Sequence, residues 1–116
     1  MTITERGVGD VRVLDINGPI TLAENTERLG DKVRSLLQQG YKKIVLNMTG
    51  VAYVDSAGLG ELVRAHSTAA RQSGRVKLVG ITKKINDLLV ITKLATVFDL
   101  YESEAQAVTS FSGPQA

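Results

Sequence analysis

The run KIVLNM at residues 43–48 has three consecutive apolar residues, Ile44, Val45 and Leu46, followed by Met48, and is apolar enough for a strand buried on both faces. A strand covered on both sides belongs to a sheet whose parallel neighbours are joined by crossing helices. The flanking segments supply those helices. Upstream, Leu22, Leu29, Val33, Leu36 and Leu37 recur at helical spacing until Gly40, a residue suited to end a helix. Downstream, after the Thr49-Gly50 break and the short run VAYV, a helix is predicted over residues 57–73. Its apolar face is Leu59, Leu62, Val63, His66, Ala69 and Ala70, with Glu61, Arg64, Arg71 and Gln72 mostly off it and Gly74 as its end. RVKLVG at residues 75–80 then reads as another buried strand, and a short helix from about Thr82 turns Ile85, Leu88 and Leu89 inward.

The two ends of the chain fit the same scheme. VRVLDI at residues 11–16 is β-branched and partly alternating, with a weaker strand before it near residues 2–6. The linker at residues 7–10 suits a hairpin turn, and Asn17-Gly18-Pro19 stops the second strand. TVFDL, starting at Thr96, is predicted as a last short strand and residues 103–111 as a last helix, with only the SFSGPQA end expected to fray. No internal repeat or low-complexity tract interrupts the pattern. The expectation is an α/β domain with a mixed, mostly parallel sheet and an antiparallel pair at its N-terminal end.

Composition bounds the function. A chain of 116 residues suffices for one small domain with a real core and is short for two. It has no cysteine and a single histidine, His66, so neither a disulfide framework, a thiolate metal site nor a histidine cluster is available. No metal or cofactor is expected. A net charge of +2 is too small to argue for direct nucleic-acid binding. The start MTITERGVGD lacks the form of a signal segment and no apolar run approaches the length of a bilayer, so a cytoplasmic chain without membrane contact is expected. Charge is unevenly spread: between Leu62 and Lys93, seven Lys or Arg residues face one acid, Asp87. Such a bias suits an acidic protein partner, or simply the solvated faces of helices and strand ends.

One stretch asks for chemistry. VDSAGLGEL, residues 54–62, places Ser56 where a strand hands over to a helix. As a helix cap the serine would contribute about 1 kcal/mol, but capping leaves Gly58 and Gly60 unexplained, since each glycine in a helix interior costs roughly 1 kcal/mol. Glycines at a helix start leave backbone amides uncovered, and the dipole there favours an anion. A nucleophile elbow would need glycine where Val54 stands, and a histidine base within reach. His66 is ten residues along the same helix, about 15 Å away, which excludes a Ser-His hydrolase within one subunit. His66 reads instead as a satisfied, partly buried residue of the inward face rather than a ligand or base. A phosphate-cradling loop fails for want of G-x-x-x-x-G-K-(S/T). An acceptor serine fits: phosphorylation adds about −1.5 to −2 charge at a helix start that tolerates it, beside Asp55, and opposes the docking of a partner there.

The run VAYVDSAGLGELVRAHSTAARQSGRVKLVGI, with the order of elements around it, resembles the STAS domain of bacterial anti-sigma factor antagonists. That family is marked by an apolar strand followed by D-S-(S/A/T)-G-L-G opening a helix. The resemblance covers residues 3–111, so that 1–116 is expected to be a single STAS domain, and it implies a mixed sheet with about four helices packed on one face. It further implies a non-enzymatic partner switch. Unphosphorylated, such a protein binds an anti-sigma factor that is also a serine/threonine kinase and so frees a sigma factor; the kinase, using ATP, phosphorylates the motif serine and the complex dissociates; a PP2C-type phosphatase restores the protein. The acceptor carried over is Ser56, and the partner-binding positions are Asp55, Ser56, Ala57, Gly58, Leu59, Gly60 and Thr21. Ala57 stands where the family often has a second hydroxyl residue, which leaves one acceptor. Thr21 departs from the family, which commonly has an acid in G-x-(L/I/V)-D after the second strand; here the run is Gly18-Pro19-Ile20-Thr21, and Thr21 equally suits a cap of the first helix. The same fold also serves as a scaffold or regulatory module in stress-signalling assemblies with targets other than a sigma factor. An enzyme would need a base near Ser56 that the sequence does not supply.

Overall fold

The computed structural model describes residues 1–112. Its strands are β1 (Thr2–Val8), β2 (Val11–Asn17), β3 (Lys43–Gly50), β4 (Arg75–Val79) and β5 (Asp99–Tyr101), and its helices are α1 (Glu27–Gln38), α2 (Ser56–Arg71), α3 (Lys83–Ile91) and α4 (Glu104–Ser112), with one 3₁₀ turn at Leu22–Glu24. They form one five-stranded sheet in the order β1-β2-β3-β4-β5. β1 pairs antiparallel with β2, and every later pair is parallel. The α/β class and the mixed, mostly parallel sheet therefore agree with the sequence. So do the buried strands: all of Ile44, Val45 and Leu46 in β3, and Val76 to Val79 in β4, are shielded from solvent.

The register shows what the two faces do. Leu14, Leu46, Leu78 and Leu100 lie side by side across four strands. This row, with Ile16, Ile44, Met48 and Val76, packs against Leu29, Val33 and Leu36 of α1, Leu59, Leu62 and Ala65 of α2, and Ile85 and Leu89 of α3. The alternate positions Val11, Val13, Val45 and Val79 point the other way and form a second cluster with Ala107 of α4. Three helices thus share one face, and α4 covers the opposite one, where about four on one face were expected. The reason is topological. Strands laid down in one direction with crossovers of one hand put every connecting helix on the same side. α4 follows the last strand, connects nothing, and is free to shield the other side.

Local differences from the sequence reading have local causes. Leu22 is 75% exposed and does not join the face of α1, because Asn25 in a left-handed conformation (φ 55) separates the 3₁₀ turn from the helix proper. Ala70 is exposed, whereas Glu61 is buried and accepts a hydrogen bond from the Gly30 amide at 3.2 Å, where α1 and α2 pack. β1 runs two residues further than expected, and β5 is reduced to Asp99–Tyr101, since Val97 and Phe98 belong to the preceding turn.

Three helices end in the same way. In α1, Gly40 (φ 97) donates to the Leu37 carbonyl and Tyr41 to that of Leu36, both at 3.0 Å. In α2 the left-handed residue is Ser73 (φ 62), not the predicted Gly74, and in α3 it is Lys93 (φ 63). Gly74 is needed for a different reason, as a side chain there would press on Leu37 and on the Lys42 carbonyl. Of the SFSGPQA end, residues 110–112 complete α4, and residues 113–116, expected to fray, lie outside the described residues.

Candidate functional site

The chain leaves β3 at Gly50, and Val54 forms an isolated parallel bridge with Ile20 from the loop that follows β2. The Ile20 amide donates to the Tyr53 carbonyl at 3.0 Å and the Asp55 amide to the Ile20 carbonyl at 3.3 Å. Two segments more than thirty residues apart are thereby laced together immediately before α2.

Asp55 is the residue that joins them. Its backbone is extended (φ −94, ψ −175), and its Oδ1 accepts the Gly58 amide at 2.8 Å, so Asp55 is the N-cap of α2. Its Oδ2 accepts the Leu22 amide at 3.0 Å and so caps the 3₁₀ turn as well. The Gly58 amide first, and the Leu22 amide second, hold this carboxyl below the usual carboxylate range. A carboxylate has two acceptor oxygens and serves two helix starts; a hydroxyl has one. The cap role that the sequence assigned to Ser56 is therefore taken by its neighbour, and Thr21, extended at φ −138, makes no side-chain cap bond either. Asp and Ser are equal as caps, so propensity alone could not choose between them. The spacing of Gly58 as third residue after Asp55 was the available signal.

Freed from capping, Ser56 is the first residue of α2, exposed, and its hydroxyl has no hydrogen-bond partner among the described residues. Ala57 beside it is half-buried. The two glycines divide. A Cβ on Gly58 would stand 1.9 Å from the Ile20 carbonyl oxygen, so this glycine exists to let the Ile20 loop approach, and its amide is already used by Asp55. The reading that Gly58 leaves the helix start open to another molecule is overturned. Gly60 is exposed with nothing within 4 Å of its would-be Cβ, and it does leave open surface. Leu59, 8% exposed, turns into the core.

The sequence reading missed the apolar surface around Ser56. On one side is exposed Leu22; on the other, a groove of about 640 Å³ runs between α2 and α3, with Ser56, Tyr53, Leu59, Lys84, Leu88 and Ile91 on its walls. Tyr53 is 49% and Ile91 77% exposed. The signal was in the phase of α3: Ile91 stands six residues after Ile85, about 240° around the helix from the buried face. His66 is half-buried on α2, as expected, with its ring edge-on to Phe98 at 5.6 Å, but its Nδ1 is buried without a hydrogen-bond partner among the described residues, so the expected satisfied histidine is not what the fold provides. It cannot serve Ser56, being about 15 Å along the helix. Among the described residues no group of three or more His, Asp or Glu gathers to hold a metal, and no helix is long and apolar enough to cross a membrane.

Comparison with known proteins places this arrangement in a family. Residues 2–107 match the model of the STAS domain. A protein of Thermotoga neapolitana named as an anti-sigma factor antagonist is 29% identical over 77 residues, covering 66% of this chain and 68% of that protein. The crystal structure of an anti-sigma factor antagonist from Thermotoga maritima superposes with a TM-score of 0.88 at 26% identity, covering 96% of this chain and 95% of that one. The Bacillus cell-fate determinant SpoIIAA in its phosphorylated form has a TM-score of 0.72 at 17% identity, covering 95% and 99%.

Proposed function

Because the chain belongs to the STAS domain family, we propose that it acts as an anti-sigma factor antagonist whose partner is exchanged by phosphorylation of Ser56. The observation that carries this reading is the unoccupied Ser56 hydroxyl, exposed at the start of α2 within DSAGLG and relieved of capping by Asp55. In this role residues 1–116 work as one domain, non-enzymatic and cytoplasmic, and the anti-sigma partner is itself a serine/threonine kinase.

Unmodified, the chain docks through Ser56, Ala57, Gly60 and the Thr21–Leu22 loop, with Leu59 anchoring the helix start in the core beneath them, and the sigma factor is released from the partner. Asp55 and Gly58 contribute by fixing the shape of that surface, since one clamps the loop to the helix and the other lets it approach. The kinase moves the γ-phosphoryl group of ATP to the Ser56 oxygen, with ADP and the hydroxyl proton as the other products. The new group brings about −1.5 to −2 charge next to the ionised Asp55, and repulsion and desolvation then oppose docking. Hydrolysis by a PP2C-type phosphatase returns the hydroxyl. Thr21, which stands where the family commonly has an acid, makes the loop contact with the kinase a neutral one.

The test uses the purified chain, its cognate anti-sigma kinase and ATP. Intact-mass and peptide mapping should find one phosphate, on Ser56. Ser56→Ala should keep kinase binding and accept no phosphate, and Ser56→Asp should weaken binding. A chain left unphosphorylated, or phosphorylated elsewhere, refutes the switch.

A further inference from the structure

At the end of the sheet opposite Ser56, where β3 and β4 begin and α2 ends, a cleft of about 490 Å³ opens to solvent. That is the size of a small-molecule site. Its walls carry Lys42, Lys43, Arg75 and His66, with Ala70 and Phe111 as apolar surface, and no carboxylate is among the lining residues.

The charge has to be counted together with its neighbours. Lys43 pairs with Asp10 at 2.6 Å and Arg75 with Asp99 at 3.1 Å, so two of the three cations are already balanced. Lys42 is exposed and has no acidic partner among the described residues. Behind the Phe111 ring, 4.2 Å from its centre, lies the ammonium of buried Lys77, which donates to the Ser110 hydroxyl at 2.6 Å and meets no carboxylate among the described residues. The cations are not spent on the end of α2, because its Ala69 and Ala70 carbonyls already accept the amides of Gln72, Ser73 and Gly74. The surplus is therefore positive, with one unpaired ammonium at the mouth and Arg75 using only Nη1 on Asp99.

His66 supplies an independent observation. Its Nδ1 is buried without a partner among the described residues, and its ring is placed by the edge contact with Phe98 rather than by a hydrogen bond on that nitrogen. A polar atom left unpaired beside a cleft carries a cost that a bonding guest removes.

We propose that this cleft binds a small organic monocarboxylate, its carboxylate between Lys42 and Arg75 and its apolar body against Ala70 and Phe111. A guanidinium takes a carboxylate through two N–H groups, and one unpaired ammonium beside it matches one negative charge. A polyphosphate would bring several charges to a rim that offers one and that Asp10 and Asp99 flank. The His66 ring, which no bond on Nδ1 holds, turns to meet a hydroxyl on the guest. The site lies at the other end of α2 from Ser56 and does not depend on its phosphorylation.

His66 is the chain's only histidine, so its ring protons give a single set of resonances that reports on this cleft. The probes are 4-hydroxybenzoate, its neutral analogue 4-hydroxybenzamide and inorganic phosphate, each titrated into the full-length chain at fixed ionic strength. The benzoate should shift the His66 ring signals and the Gly74 and Arg75 amides in a saturable way. The benzamide should bind about tenfold more weakly, because it lacks the charge-assisted bonds. Lys42→Glu, at an exposed position, should weaken the benzoate about tenfold while the melting temperature stays the same, and Arg75→Gln should weaken it as well. Four results would each overturn the proposal: equal binding of the benzamide, phosphate binding as tightly as the benzoate, saturation indifferent to Lys42→Glu, or no shift of His66 with the benzoate.

Discussion

The two glycines of DSAGLG should respond in opposite ways to alanine. At position 58 an added Cβ would lie 1.9 Å from the Ile20 carbonyl oxygen, 2.8 Å from its carbon and 3.0 Å from the Ile20 Cγ2. A comfortable carbon–oxygen contact begins near ~3.3 Å, so α2 and the Ile20 loop must separate by more than an ångström. The obstacle is backbone, and it is tied by the Asp55 amide at 3.3 Å and the Tyr53 carbonyl at 3.0 Å. Overpacking of this kind costs about 1–3 kcal/mol, and a broken backbone hydrogen bond adds about 1 kcal/mol. The better helix propensity of alanine returns about 1 kcal/mol, which leaves a net loss of about 1–3 kcal/mol. At position 60 nothing lies within 4 Å, so alanine should simply gain about 1 kcal/mol. For a domain of this size that means Gly58→Ala melting roughly 4–12 °C below the parent chain and Gly60→Ala about 4 °C above it. Thermal and urea unfolding followed by circular dichroism, with unchanged m-values, would measure both. A Gly58→Ala chain as stable as the parent would refute the close-approach argument.

Other substitutions probe neighbouring contacts. The Asp55 carboxyl is depressed in the folded chain, so its stabilisation is present above its unfolded pKa of about 3.9 and is lost as pH falls through the folded value. Asp55→Asn should therefore flatten the acid limb of the stability profile and speed hydrogen exchange at the Leu22 amide, since one of two acceptors is gone. Glu61→Ala should cost about 1–3 kcal/mol in urea titrations, because the Gly30 amide loses its partner between two helices, while Glu61→Gln keeps an acceptor oxygen and should cost about 1 kcal/mol or less. Ser73→Gly relieves a left-handed residue at the end of α2 and should raise stability by about 1 kcal/mol or less, seen as a higher melting temperature.

Much of this protein was legible in its sequence because the signals are local. A strand alternates every two residues and a helix every 3.6, so KIVLNM, RVKLVG and the Leu29–Leu37 face announce themselves wherever they occur. The loop before α2 stood out as a candidate site because a cap at Ser56 alone left the two glycines Gly58 and Gly60 unexplained. What each residue of that loop does was not legible. Ser56 and Asp55 are equivalent caps until the Leu22 amide arrives from 33 residues away and asks for a second oxygen. Gly58 and Gly60 look alike until the Ile20 carbonyl takes the space beside one of them.

The sequence by itself thus determined the element types, their order, the α/β class and the segment that carries Ser56, since all of these follow from periods and punctuation within a few residues. The tertiary structure alone decided that α4 crosses to the far face, that Leu22 and Ile91 stay in solvent, and that Asp55 rather than Ser56 caps α2. These outcomes depend on which distant segment reaches a given atom first, and a free backbone amide or an unfilled volume is known only when the chain has closed around it.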